Sequence, residues 1–290
     1  MAKFKITAWH PIKDETRFIN YDTLTSELTW EDGTPIIPSS QKYSNATEQV
    51  KIHKGKRDLR VVKIQLGLSC NFECDYCNQR FVPHADSTNP DDVTPFVENM
   101  STWYEGGEDG LGSGTKFEFW GGEPLVYWKT MKPLAETIRD RFEHWENKPR
   151  FSVITNGSIL TPEICDWLMM MDFSVSMSHD GPGQHVRGPD PFDDPEQKER
   201  ILGFYRMQTR LGKYFSFNAM LNAKNQSRKE IYDWFVNLTG DENVVLGEGS
   251  IVDAYDEEGI VNSLTTKQEH FNFRQKSFGE MYANGGNIGF

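Results

Sequence analysis

The sequence predicts an α/β protein built on a parallel sheet, and three observations carry that expectation. From Val61 onward, short apolar runs of strand length alternate with amphipathic stretches of helix length. The alternation gives six βα units, and such units force parallel strands with right-handed crossovers. Every motif rich in cysteine, glycine or asparagine follows directly on a strand, at the end where α/β proteins place their sites. Six units are too few to close an eight-stranded barrel.

Residues 1–60 lack this rhythm. Segments 17–22 and 27–30, joined by a polar turn, read as a hairpin in a short β-rich N-terminal extension. The basic stretch 51–63 reads as a solvated approach to the first strand, 61–68, because aromatic residues are not interleaved with it as a nucleic-acid site would want. A helix is expected over 90–104, where Val93, Phe96, Val97 and Met100 share one face. Gly106, Gly107, Gly110, Gly112 and Gly114 then form a connection. No Lys-Ser/Thr pair follows to make a phosphate cradle.

The second strand is expected over 116–120, running into Gly121-Gly122-Glu123-Pro124, where two glycines let the backbone turn sharply and approach a ligand. A helix over 127–145 and a third strand over 150–154 follow, closing in Thr155-Asn156-Gly157. Thr161 caps the next helix with Pro162 in its first turn, and Cys165 within it reads as a small core residue. A fourth strand over 173–177 leaves through Ser178-His179-Asp180-Gly181-Pro182. A helix over 195–211, a strand over 214–221, a helix capped by Ser227 and a sixth strand over 244–252 complete the pattern. The expected domains are an extension at 1–60, the six-unit α/β body at 61–265, and a C-terminal helix and tail at 266–290.

The chain has 290 residues, 37% hydrophobic and 13% aromatic, which is ample for a large core. A formal net charge of −12 argues against a nucleic-acid backbone or an anionic membrane as main partner. No apolar run approaches the ~20 residues that span a bilayer, and Met1-Ala2-Lys3-Phe4-Lys5 lacks the apolar core of a signal peptide, so a cytoplasmic protein is expected. Four cysteines, three of them bunched, do not make a disulfide framework.

The bunched cysteines lie in Cys70-Asn71-Phe72-Glu73-Cys74-Asp75-Tyr76-Cys77, on one short loop behind the first strand. Three thiolates fit three irons of a [4Fe–4S] cluster, which usually takes four cysteines, so one iron would stay open for chemistry. The other reading is a structural zinc site, which needs a fourth ligand. Cys165 is far along the chain and His84 is nearer.

Cys-x-x-x-Cys-x-aromatic-Cys resembles the signature of the radical S-adenosylmethionine (radical SAM) enzymes. The fuller Cys-Asn-x-x-Cys-x-Tyr-Cys is similar to the branch of anaerobic sulfatase maturases and other SPASM-type peptide-modifying members. Gly121-Gly122-Glu123-Pro124 matches that family's second motif. Ser178-His179-Asp180-Gly181-Pro182 resembles its Ser-x-Asp-Gly-Pro segment, and His185-Val186-Arg187-Gly188 its His-x-x-Arg region at a shorter spacing. The resemblance implies a partial (β/α)6 TIM-like barrel, open at the side, with the cluster on Cys70, Cys74 and Cys77. It also implies that Tyr76, Gly121, Gly122, Glu123, Pro124, Asn156, Ser178 and Arg187 hold S-adenosylmethionine.

The activity so implied is reductive cleavage of S-adenosylmethionine to a 5′-deoxyadenosyl radical that takes hydrogen from a substrate, with electrons from a flavodoxin or ferredoxin. A peptide or protein substrate fits the motifs. A small molecule, a nucleoside-like substrate, or activation of a glycyl-radical protein fits a chain without auxiliary clusters, and a non-catalytic zinc or iron–sulfur module is a third reading. SPASM-type relatives carry further cysteines near the C-terminus. This sequence has none after Cys165, and its ending, Asn284 to Phe290, does not read as a settled terminus. Asp180, His179 and Glu118 are expected near the barrel mouth, as a turn-former, a satisfied polar side chain and an outward strand residue. No catalytic base is assigned. The acidic run 253–258 reads as a solvated loop.

Overall fold

The structure is a computed structural model, and it describes residues 3–10, 15–23, 25, 27–36, 59–77, 79, 82, 88–105, 111–221, 225–250 and 267–283. His84, the acidic run 253–258, the chain end and most of the basic stretch 51–63 lie outside the described residues. The chain divides into two compact units, Met1–Gly55 with Phe278–Asn287, and Lys56–Ser277 with Ile288–Phe290.

The first unit holds a three-stranded antiparallel sheet, β1 (Lys3–His10), β2 (Glu15–Asp22) and β3 (Glu27–Trp30), in the order β1-β2-β3. The expected hairpin is β2–β3, with Ile19 opposite Trp30. β1 was not expected. Its signal is the alternation of Phe4, Ile6 and Ala8 with Lys3, Lys5 and Thr7, a strand period that pairs Ile6 with Ile19 and Phe4 with Tyr21.

The second unit is built on six parallel strands in sequence order: β4 (Leu59–Gln65), β5 (Leu111–Trp120), β6 (Arg150–Thr155), β7 (Phe173–Ser178), β8 (Phe215–Leu221) and β9 (Val245–Ser250). An order without reversal, joined by crossovers of one hand, puts the connecting helices on one face and leaves the other free. Those helices are α1 (Val93–Glu105), α2 (Trp128–Arg141), α3 (Pro162–Met170), α4 (Pro195–Arg210) and α5 (Arg228–Thr239), and α6 (Lys267–Ala283) follows β9. This is the α/β fold of a partial barrel. The expected caps are present: Thr161 accepts from the Ile164 N–H at 3.3 Å and Ser227 from the Glu230 N–H at 3.1 Å.

The two faces of the sheet differ sharply in chemistry. Towards the helices stand Phe117, Phe119, Phe151, Phe173, Phe215 and Phe217, all buried, packing ring on ring with Phe142, Trp167, Tyr205 and Phe235. Alternate positions on the other face are Lys63, Lys116, Glu118, Ser152, Ser176, Ser216, Asn218 and Gly247. Ser176 and Ser216 share a hydrogen bond of 2.8 Å.

Two expectations change here. Glu118 is not an outward residue: it is buried on the polar face, 2.9 Å from Lys116 Nζ and 3.3 Å from Lys63 Nζ. Against burial, the largest influence on it, these lysines hold its carboxyl below the usual range. The glycine connection is also shorter than expected, because Gly112 and Gly114 lie within β5. Gly114, at φ +82°, supplies the kink where the register slips between the Leu59–Leu111 and Val61–Lys116 pairs.

No helix among the described residues is long and apolar enough to cross a membrane.

Candidate active site

The site forms where the C-terminal ends of β4 to β8 come together. β4 runs through Leu66 and Gly67 towards the cysteines. A Cβ at Gly67 would lie 2.2 Å from Tyr127 Oη, so the phenol packs on bare backbone, and its oxygen accepts the Ser69 N–H at 2.8 Å. Tyr127 ends the short 3-10 helix Pro124–Tyr127, which the Gly121–Pro124 turn opens.

That turn is bound to the residue before Cys70. Gly121 and Gly122 have φ of +86° and +51°, and a Cβ on Gly122 would meet the Ser69 carbonyl oxygen at 2.3 Å. The Glu123 N–H donates to the same oxygen at 2.9 Å, and the Gly122 N–H donates to Gln79 Oε1 at 2.8 Å.

The Glu123 carboxylate is 1% exposed and accepts three bonds: from Thr155 Oγ1 at 2.7 Å, from the Leu125 N–H at 3.0 Å and from the Asn156 N–H at 2.6 Å. Burial raises its pKa, opposed by these donors and by the Arg187 charge. The carboxylate therefore ties β5 to the end of β6 as well as standing beside the glycine turn.

Asn156 reaches back to the cysteine loop. Its Nδ2 donates to Asn71 Oδ1 at 2.9 Å and lies 4.0 Å from Cys70 Sγ, while its Oδ1 accepts from the Ser158 N–H at 2.9 Å. Asn71 Nδ2 in turn donates to Ser158 Oγ at 2.7 Å.

On the other side of the loop, Tyr76 Oη donates to Asp180 Oδ2 at 2.6 Å and accepts from Arg187 Nη1 at 2.8 Å. Arg187 Nη1 also lies 3.2 Å from Asp180 Oδ1, which accepts the Met220 N–H at 2.7 Å. Burial is the largest influence on both partners. It holds the Tyr76 phenol well above its ordinary range, so the hydroxyl is a neutral donor. It works against the Arg187 charge, but Tyr76 and Asp180 more than offset it, and the group stays a guanidinium.

Cys70 is exposed, and Cys74 and Cys77 are half-buried. Burial pushes the Cys70 thiol up and the Cys74 thiol up to about 11, with the neighbouring cysteines adding to both shifts. Among the described residues no three His, Cys, Asp or Glu side chains stand in metal-ligand spacing. The donor set still fits an iron–sulfur cluster: three soft sulfurs on one short loop, beside a buried Arg187 Nε–H without a partner among the described residues.

The structure thus joins Glu123, Asn156 and Cys70 on one side of the loop, and Tyr76, Asp180 and Arg187 on the other. Ser178 stands in register with Asn218 on β8, and Asn218 with Gly247 on β9. A Cβ at Gly247 would lie 2.0 Å from Asn218 Oδ1, so the glycine makes room for that carboxamide at the mouth of the polar face. The sequence reading missed Asn218, Gln79 and Tyr127. Only Gly67, just past β4, and Gly247, within β9, signalled close approaches there.

Asp180 and His179 differ in role from the expectation for one of them. Asp180 does open the turn, its carbonyl accepting the Gly183 N–H at 3.2 Å, but its side chain makes no capping bond to the 3-10 helix Gly181–Val186 and serves as a cross-link. His179 is the satisfied side chain expected: Nδ1 accepts the Gly181 N–H at 3.0 Å, Nε2 lies 3.0 Å from Asp190 Oδ1, and Trp234, Phe192 and Phe235 enclose the ring. With Nδ1 an acceptor, the proton sits on Nε2 and is donated to Asp190.

Burial lowers the His179 pKa, against the raising effects of Asp190 and Asp180 and with a smaller lowering by Arg187. The unfolded chain then binds the extra proton between the folded value and ~6.5. The contribution of His179 to stability is complete above that pH and is lost on acidification below it. A denaturation series from pH 8 to 5 on His179→Gln should show a flatter pH dependence than the parent chain in this window; equal slopes would refute the assignment.

No protein-family model matches the chain. Among curated proteins it is similar to the radical SAM cyclopropyl synthase TigE of Paramaledivibacter caminithermalis, at 22% identity over 220 residues, which is 67% of this chain and 42% of the relative. Among solved structures, anSMEcpe with bound AdoMet and the Cp18Cys peptide superposes with a TM-score of 0.57 at 18% identity, covering 79% of this chain and 62% of that one. Streptococcus suis SuiB bound to its precursor peptide SuiA gives 0.54 at 11%, covering 87% and 53%. The chain thus spans less than two thirds of the length of each. The curated relative is a radical SAM enzyme and the structural neighbours share this fold, so the chain is similar to radical SAM enzymes in sequence motifs and in architecture.

Proposed function

We propose that this chain cleaves S-adenosylmethionine reductively at a [4Fe–4S] cluster held by Cys70, Cys74 and Cys77, and removes hydrogen from a residue of a peptide or protein. The observation that carries the reading is the bonding of three distant motifs around one loop: Glu123 N–H to Ser69 O, Asn156 to Asn71, and Arg187 to Tyr76. When bound, the cluster and cofactor supply the electron transfer and the 5′-deoxyadenosyl radical.

The chain's own groups bind and orient. Glu123 and the bare glycine backbone favour an ammonium, and the Arg187 guanidinium favours a carboxylate. Ser178 and Asn218 offer a hydroxyl and an amide at the mouth. The polar inner face admits the substrate. The peptide-bound states of anSMEcpe and SuiB support a peptide substrate. An acidic cytoplasmic protein of this kind would draw electrons from a flavodoxin or ferredoxin.

The test is anaerobic. The protein is reconstituted with iron and sulfide, reduced, and given S-adenosylmethionine, and 5′-deoxyadenosine is measured by mass spectrometry. Product is expected from the parent chain and none above background from Cys74→Ala. A parent chain that takes zinc but no iron, and forms no product, would leave the loop as a structural metal site.

A further inference from the structure

Resting on that reading, we propose that Tyr76 and Asp180 are positioning residues: a buried lock that fixes the geometry of the cysteine loop and the orientation of Arg187 as one unit. Tyr76 lies between Cys74 and Cys77, so whatever holds its side chain holds the loop. The Cys77 N–H closes a turn on the Cys74 carbonyl at 2.9 Å, with Tyr76 inside it. From that turn the phenol reaches Asp180, 104 residues away, at 2.6 Å.

Asp180 is 0% exposed and anchored at two further points. Its Oδ1 accepts the Met220 N–H of β8, and its main-chain oxygen accepts from Asn225 Nδ2 at 2.8 Å. A second tether runs alongside, from the Asp75 N–H to the Val186 carbonyl at 3.1 Å, next to Arg187. The loop and the arginine are therefore fastened to each other and to the ends of β7 and β8.

The orientation of Arg187 follows from which nitrogen is taken. Both side-chain bonds leave from Nη1, to Tyr76 and Asp180. Nε is buried and has no partner among the described residues. A buried, unmet N–H on a charged group is costly unless something binds there. Tyr76 and Asp180 thus occupy one end of the guanidinium and turn its Nε edge towards a ligand. Arg187→Lys could not reproduce this, because an ammonium has no second edge to present.

The experiment uses the reconstituted full chain with Tyr76→Phe, which removes one oxygen and no ligand, and with Asp180→Asn, which keeps volume and removes charge. Two readouts are taken besides activity: the rate of iron loss to a chelator without S-adenosylmethionine, and the S-adenosylmethionine concentration giving half of the change in the reduced cluster's EPR spectrum. Each variant is expected to lose iron roughly 10-fold faster and to need roughly 10-fold more S-adenosylmethionine, in the range for groups that orient metal ligands. Tyr205→Phe, which removes another tyrosine–aspartate bond, that to Asp241 Oδ2 at 2.7 Å, is the control for general loosening.

If both variants match the parent in both readouts, or change only as much as Tyr205→Phe at equal thermal stability, the lock is structural alone and the inference is overturned. A parent chain that takes up no iron refutes the proposed function itself, and this inference with it.

Discussion

Glu123→Ala is expected to destabilise the chain by about 3–5 kcal/mol, more than any other single truncation at the site. The carboxylate is the common acceptor for Thr155 Oγ1, the Leu125 N–H and the Asn156 N–H, in a place closed to water. Alanine leaves all three donors buried and unmet. Each such group costs ~1–3 kcal/mol, partly relieved by local rearrangement. Glu123→Gln separates shape from charge: its oxygen replaces one acceptor, but its amide nitrogen faces an N–H or O–H that it cannot accept from. An intermediate loss is expected for it. Urea midpoints at constant slope decide the matter, and an alanine variant within 1 kcal/mol of the parent would show that the three bonds are not worth what their burial implies.

Gly122→Ala should be nearly as damaging, by about 3 kcal/mol, for a different reason. At φ +51° an alanine is strained, yet a residue with one methyl often tolerates this for ~1 kcal/mol. The larger cost is the contact at 2.3 Å with the Ser69 carbonyl and at 2.8 Å with the Leu68 carbonyl carbon, both main chain and unable to swing aside. Relief requires the Ser69–Cys70 backbone to move, so iron uptake on reconstitution should fall together with stability. Gly240→Ala is the comparison, at φ +73° with nothing within 4 Å of its Cβ. It should cost ~1 kcal/mol and leave iron uptake unchanged. Equal losses for the two would mean that strain, not the approach to Ser69, governs position 122.

Much of the fold was legible because its signals are local. The strand runs, the caps at Thr161 and Ser227, and the motifs at strand ends need only a few neighbouring residues to be read. β1 escaped because its alternation rests on Phe4, Ile6 and Ala8 alone and is broken at Trp9, which falls on the side of Lys3, Lys5 and Thr7. The start of β5 escaped because Gly112 and Gly114 read as a loop, although at an irregular edge pair glycine is what lets the strand kink.

At the site, residue identity was legible and role was not. Asp180 is an ordinary turn residue by type, and only the folded chain brings it to Tyr76 and Met220. Glu118 sits at a strand position that alternation assigns to the face away from the aromatic residues. Alternation alone does not say that two lysines share that face. Such pairings depend on contacts remote in sequence, where a single chain carries no pattern to read.

The division of the sheet into an aromatic and a polar face bears on how such a protein can change over evolutionary time. The rings that hold the body together lie on the helix side, whereas Ser152, Ser176, Ser216, Asn218 and Gly247 contribute little packing. A deep mutational scan read out by abundance should find the first set intolerant and most of the second permissive. Heritable variation can then accumulate on the inner wall while the scaffold stays above its folding threshold, leaving selection free to retarget the chemistry to new molecules.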